Sequence, residues 1–153
     1  MILNRLIYSS YHGGIEIESI GKILDVSRAN NRREDITGSL IVDSEDFVQL
    51  LEGSQTAIAN CFMRITLDNR HRNLKILLSE RLDIRLFKSW SMHLLHMSRI
   101  KEEAMSAYGL DGIYNFANLP ADDVIRIFKR ISAGNAERIV SAENCEVPKS
   151  LLM

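Results

Sequence analysis

Two cysteines are too few, and at positions 61 and 145 too far apart in sequence, to build a disulfide framework or a metal knuckle. Cys61 and Cys145 are therefore read as plain thiols, and no metal site is expected. No run of about 18 apolar residues exists to span a membrane as a helix. The opening Met1-Ile2-Leu3-Asn4-Arg5-Leu6-Ile7-Tyr8 enters a strand at once and lacks the organisation of a signal peptide, so a cytoplasmic location is expected. An excess of one charge is missing too: 19 Lys and Arg against 20 Asp and Glu leave a formal charge of -1. That balance gives no general attraction to nucleic acid or to an anionic membrane. Internal repeats and low-complexity segments are absent. The 153 residues suffice for one domain with a real core, but not for a sensor plus a separate catalytic module. Any output is then expected to come from this domain or from a partner.

What is present is strongly patterned. Ser39 to Asp43 and Phe47 to Glu52 are short apolar runs separated by Ser44-Glu45-Asp46 and bounded by Gly38 and Gly53, a β-hairpin signature in the middle of a sheet. Strand alternation places Phe47, Gln49 and Leu51 on one face and Val48, Leu50 and Glu52 on the other. Gln49 thus sits between two large apolar neighbours. A buried primary amide left unpaired costs roughly 1 to 3 kcal/mol, so Gln49 needs partners at both its donor and its acceptor ends, a first hint of a ligand.

Upstream, Asn4 to Ser10 reads as a first strand with Leu6, Tyr8 and Ser10 on one face. Tyr8 then points into the core, where a structural tyrosine bonded to a backbone carbonyl is the commoner case. Ile17, Ile20, Ile23, Leu24 and Ser27 recur at helical spacing, and the same face continues to Asn30 and Asn31. That pair is either a helix cap or an inward-pointing set of amides beside Gln49. Arg28, Arg32 and Arg33 look like a solvated face. Downstream, Ser54 suits the cap of a second helix carrying Ile58, Cys61, Phe62 and Ile65 at i, i+3, i+4 and i+7. Arg70-His71-Arg72 follows as a basic loop, able to bind phosphate but more commonly just exposed. Leu74 to Glu80 and Ser91 to Met97 read as the last strands; Trp90 either packs near a ligand or covers a sheet edge. His93 and His96, three apart in a strand, face opposite sides and do not form a chelate.

The order βαββαββ predicts an α+β fold, a ferredoxin-like sheet with two helices on one face. C-terminal helices cover the other: a stretch from about Glu102 to Gly109, then a helix after Pro120 with the apolar stripe Val124, Ile127, Phe128 and Ile131 and a stop at Gly134. That stripe packs on the open sheet face or meets another copy or a partner. The tail from Ser141 is expected to be loose.

Taken together, Arg5-Leu6-Ile7-Tyr8-Ser9-Ser10, Asn30-Asn31, Ile36-Thr37-Gly38, Phe47-Val48-Gln49-Leu50-Leu51-Glu52-Gly53, Arg70-His71 and Trp90-Ser91-Met92 resemble the BLUF family of flavin-using blue-light sensors. The resemblance covers about residues 3 to 98 and looks like the short, single-domain type. It implies a flavin-binding domain over residues 1–98 and a helical extension over 99–153. It also implies a non-covalent flavin between the two helices, FAD with FMN not excluded. Carried over, Tyr8 is the electron and proton donor, and Gln49 bridges Tyr8 to the ring's N5 and C4 carbonyl. Asn31, with Asn30 beside it, holds the polar edge. Ile23 and Ile65 are aliphatic walls, Arg64 and His71 lie near the ring, and Trp90 and Met92 move with the signal. The implied function is a photoswitch, not an enzyme, that signals to a protein partner and self-associates, without membrane or direct nucleic-acid binding.

Three competing readings remain at this stage. An acylphosphatase-type hydrolase requires a cationic anion loop after the first strand, and Ser9-Ser10-Tyr11-His12-Gly13-Gly14 has glycines but no Arg or Lys. An RNA-binding sheet requires exposed aromatics and a basic surface. A flavin-free interaction module of the same fold is weighed against by the presence of both Tyr8 and Gln49.

Overall fold

The computed structural model describes residues 2–89, 92–97 and 118–144, excluding the side chains of Ile17 and of residues 135–144. Element order is β1 (Leu3–Tyr11), α1 (Ile17–Glu34), β2 (Thr37–Val42), β3 (Asp46–Ser54), α2 (Gln55–Thr66), β4 (Arg72–Leu82), β5 (His93–His96) and α3 (Ala121–Asn144). The five strands form one mixed sheet in the order β4-β1-β3-β2-β5. Neighbours are antiparallel except β2 and β5, which run parallel. This is the expected ferredoxin-like α+β architecture with one added edge strand.

Alternation decides which residues meet which layer. Leu6, Tyr8, Leu40, Val42, Phe47, Leu51 and Leu94 face one side, where Ile20, Ile23 and Leu24 of α1 and Ile58 and Cys61 of α2 pack on them. Ile7, Ile41, Val48, Leu50 and Leu95 face the other, where the α3 stripe Val124, Ile127, Phe128 and Ile131 closes a second core with Phe87. The strands β1, β3, β2 and β5 are therefore covered on both faces while the edge strand β4 stays largely exposed, and among the described residues no bare aromatic platform of the kind an RNA-binding sheet needs is left around the buried Phe47.

Local signals account for most boundaries. Ser54 Oγ accepts the Ala57 amide at 3.1 Å and caps α2 as its sequence suggests. At the C-terminus of α1 the cap reading of the Asn pair falls away: Asn30 and Asn31 lie within the helix, and the cap is Asp35, in the left-handed conformation at φ 55°. The Asn31 carbonyl accepts the Ile36 amide at 2.8 Å, which closes the helix one turn later than the Asn pair suggested. Gly38 is not a hairpin boundary but a residue of β2, where a Cβ would stand 1.9 Å from the Leu50 carbonyl oxygen, so only glycine lets β2 and β3 approach this closely. Gly134 does not stop α3, which runs ten residues further, to Asn144. A mid-helix glycine costs about 1 kcal/mol, little enough for a helix anchored by Val124, Ile127, Phe128 and Ile131 to absorb. The expected helix before Gly109 lies outside the described residues.

One ionic cluster belongs to the second face. Glu52 is fully buried and pairs with Arg5 at 2.8 Å, while Arg5 also reaches Glu80 at 2.6 Å. The Glu52 carboxylate further accepts the amides of Leu86 at 2.9 Å and Phe87 at 3.0 Å. Arg85 donates to Thr37 Oγ1 and the Glu52 carbonyl, and Ser132 Oγ of α3 donates to the Leu86 carbonyl at 2.7 Å. The segment between β4 and β5 is thus tied to β3 on one side and to α3 on the other.

Candidate functional site

Between α1 and α2, over the strands β2 and β3, lies a cavity of about 200 Å³. Its walls are Ile23, Leu24 and Val26 from α1 and Cys61 and Ile65 from α2, with Leu40 and Phe47 as the apolar floor. Its polar groups are the amides Asn30, Asn31 and Gln49, with Ser27, Arg64, Asp68, Arg70 and His71 around them. Helical spacing explains the two rows. Ser27 precedes Asn30 by three and Asn31 by four, and Cys61 stands in the same relation to Arg64 and Ile65, so each set shares a face. Ser27, Cys61, Asp68 and Arg70 were not among the site residues expected from the sequence, although that spacing could have found the first two.

Gln49 is the polar centre of the floor. It is cross-strand partner to Tyr8 on one side and Leu40 on the other, and it is buried. Its Oε1 accepts from the Tyr8 hydroxyl, and its Nε2 donates to Met92 Sδ at 3.3 Å. Tyr8 and Met92 stand behind Gln49, both buried, so the amide connects them to the cavity. The two partners also fix the amide's direction: a hydroxyl in need of an acceptor lies at one end and a thioether that can only accept lies at the other. Tyr8 packs edge-on against Phe62 at 5.4 Å between ring centroids, and burial pushes its pKa well above the ordinary value. It remains a protonated phenol over the whole physiological range.

The basic loop after α2 divides into three different roles. Arg70 is bonded to the Asp68 carboxylate, which that hydrogen bond holds down at about 2. His71 turns inward to Ser10 Oγ at 2.8 Å and packs against Phe47. Arg72 lies over the Tyr11 ring. Arg64 sits on the rim and pairs with Glu34 at 2.7 Å, bridging the ends of the two helices. Burial pushes the Cys61 thiol up to about 11, so it is not a thiolate. Asn31 is buried, and Asn30, half-buried beside it, accepts from Arg33. Ile23 is buried and Ile65 half-buried. Trp90 lies outside the described residues. The loop after β1 offers no free anion cradle: the Gly14 and Ile15 amides both donate to His12 Nδ1, and those of His12 and Gly13 donate to the Glu45 carbonyl.

Two imidazoles give the fold a defined response to acid. Burial holds His71 at about 4 against the ordinary 6.5, and burial with the nearby Arg28 charge holds His93 at about 3. The folded chain binds these protons more weakly than the unfolded chain does. Their stabilisation is therefore present in full well above pH 6.5 and is lost as pH falls through about 4 for His71 and about 3 for His93, on the order of 2 kcal/mol from each by pH 5. Urea unfolding at pH 7 and pH 5 is expected to show that drop; equal stability at the two values would contradict it.

The donor set fits a flat apolar ring system with an imide-like edge: aliphatic walls above and below, and amides in plane. Comparison with known proteins points the same way. The family model for sensors of blue-light using FAD (BLUF) matches residues 3–93. Over 130 residues the chain is 26% identical to the blue light- and temperature-regulated antirepressor BluF of Escherichia coli (strain K12), covering 84% of this chain and 32% of that protein. The dark-state structure of BlrB, a BLUF protein, superposes with a TM-score of 0.71 at 28% identity, covering 87% of this chain and 97% of BlrB. Klebsiella pneumoniae BlrP1 with FMN and cyclic diGMP superposes with a TM-score of 0.64 at 28% identity, over 88% of this chain and 35% of BlrP1. The chain thus spans about a third of the antirepressor and of BlrP1.

Proposed function

Because the chain belongs to the BLUF family of blue-light sensors, we propose that it holds a flavin in the cavity between α1 and α2 and registers light in the hydrogen bonds of Gln49. The single observation that carries this reading is the chain Tyr8, Gln49, Met92, in which a buried amide is bonded at one end to a phenol and at the other to a thioether beside a ring-sized cavity. FAD is the expected flavin, and the ring contacts suit FMN equally. Asn31 and Asn30 would bond its polar edge, Ile23 and Ile65 would flank the ring, and His71 would stay neutral nearby. Arg64 has donors beyond those given to Glu34 and would reach a ring carbonyl.

When bound, the flavin supplies a blue-absorbing excited state that accepts an electron. Tyr8 would be the group to give it up, since its phenolic O–H is directed at Gln49 Oε1 and the proton can leave along that bond. Gln49 would take that proton at Oε1 while an Nε2 proton passes to the group that accepted the electron, and return of one electron and one proton to Tyr8 would leave the amide rotated or as its imide tautomer. Rotation of the amide would reverse donor and acceptor, put Oε1 against Met92 Sδ and unsettle it.

The change would leave through the segment before β5, which Glu52 and Ser132 tie to β3 and α3. Residues 1–98 then form the flavin-binding unit and 99–153 the extension that carries the output, with Trp90 and Met92 as the relay. The reading carries with it a cytoplasmic, self-associating protein that signals to a partner protein and has no catalytic activity of its own. A flavin spectrum that shifts slightly to the red after a blue flash and recovers in the dark is the expected result. A colourless protein that cannot be reconstituted with flavin would overturn the reading and leave an interaction module in its place.

A further inference from the structure

We propose that Arg28 is a positioning residue for the Gln49 switch, acting through the main chain of Met92. Met92 is held from two directions. Its sulfur accepts from Gln49 Nε2 at 3.3 Å, and its carbonyl oxygen accepts from Arg28 Nε at 2.9 Å. It stands just before the first registered pair of the parallel ladder, Ser39 with His93, so it is the point at which the chain enters β5. Arg28 belongs to α1, directly after Ser27 and one turn before Asn31, both of which line the cavity. A single side chain therefore ties the cavity-lining helix to the residue whose sulfur reads the direction of the Gln49 amide.

The inference rests on the light-sensing reading and adds a part to it. If the amide reverses, Met92 Sδ meets an oxygen instead of an N–H, and the side chain must withdraw. The Arg28 bond then decides how far the main chain follows, and it favours the arrangement in which the sulfur lies beside Gln49. A charge-assisted bond at a partly exposed site contributes enough to change a return rate about tenfold. Loss of the guanidinium is accordingly expected to slow dark recovery by about that factor while leaving the flavin bound and the red shift intact. Lysine retains a charged donor and is expected to restore most of the rate.

The test uses the flavin-loaded full chain with ¹³C-methyl methionine. The sequence has six methionines, and Met92→Leu assigns the Met92 signal. In darkness Arg28→Ala is expected to move or broaden that methyl resonance, and after a flash to slow recovery about tenfold; Arg28→Lys should return both toward wild type. An Arg28→Ala protein with the Met92 signal and the recovery rate unchanged would overturn the inference, as would one that slows recovery without moving the signal. Should Arg28→Ala not fold, Arg28→Gln gives the same two readings. Failure of the light-sensing reading would look different: wild-type protein would show no red shift, while the dark methyl spectrum would still report whether Arg28 holds Met92.

Discussion

Gln49→Leu is expected to abolish the light-induced red shift while leaving flavin in the cavity. Leucine nearly matches glutamine in volume, so the floor of the cavity stays filled and the walls Ile23 and Ile65 keep their spacing. What goes is the acceptor for the Tyr8 hydroxyl and the donor to Met92 Sδ. Tyr8 could still lose an electron to an excited flavin, but its proton would have no amide to enter, and the site could not be left in an altered hydrogen-bonded state. Absorption spectra before and after a blue flash check this directly. A Gln49→Leu protein that shifts and recovers like wild type would remove Gln49 from the mechanism. A stability loss of roughly 1 to 3 kcal/mol is expected alongside, because the buried Tyr8 hydroxyl is left without its partner.

The second large effect lies on the opposite face of the sheet. Glu52→Ala is expected to cost about 3 to 5 kcal/mol of folding stability. The substitution strips Arg5 of its buried counter-ion, leaving only the half-exposed Glu80, and deprives the Leu86 and Phe87 amides of their acceptor. Breaking one side of such a cluster is costly because the remaining charge and donors stay buried. Urea titration measures the loss, and faster amide hydrogen exchange at Leu86 and Phe87 should accompany it. A cost below about 1 kcal/mol would mean that water or a neighbouring group replaces the carboxylate, and that the segment before β5 is not held by β3.

How much of this was legible before the structure follows from the kind of signal each residue carries. Period-two alternation separated Phe47, Gln49 and Leu51 from Val48, Leu50 and Glu52, and the two cores obey that division. Helical spacing likewise anticipated the buried faces of α1 and α2 and the α3 stripe. The demand of a buried amide for two partners pointed to Gln49, while the α1 face left the Asn30-Asn31 pair open between a cap and inward amides. The partners themselves were not legible, because they depend on strand register and on long side chains. Tyr8 meets Gln49 only because β1 pairs with β3 in one particular register. Arg28 looked like part of a solvated face, yet its Nε reaches a carbonyl 64 residues away. Glu52 read as a polar end of a strand, and the amides it accepts come from a segment with no regular pattern. Arg64, expected near the ring, does line the cavity, but its pairing with Glu34 at the rim was not legible.

The measurement closest to the central claim is a light-minus-dark infrared spectrum of protein carrying ¹³C,¹⁵N-labelled glutamine. The sequence contains two glutamines, Gln49 and the exposed Gln55 at the start of α2, so Gln55→Asn leaves a single labelled amide. If the buried amide is the switching group, label-sensitive side-chain carbonyl and C–N bands change with light and relax at the rate of the visible red shift. A red shift of normal size and lifetime with no label-sensitive amide band would contradict the account.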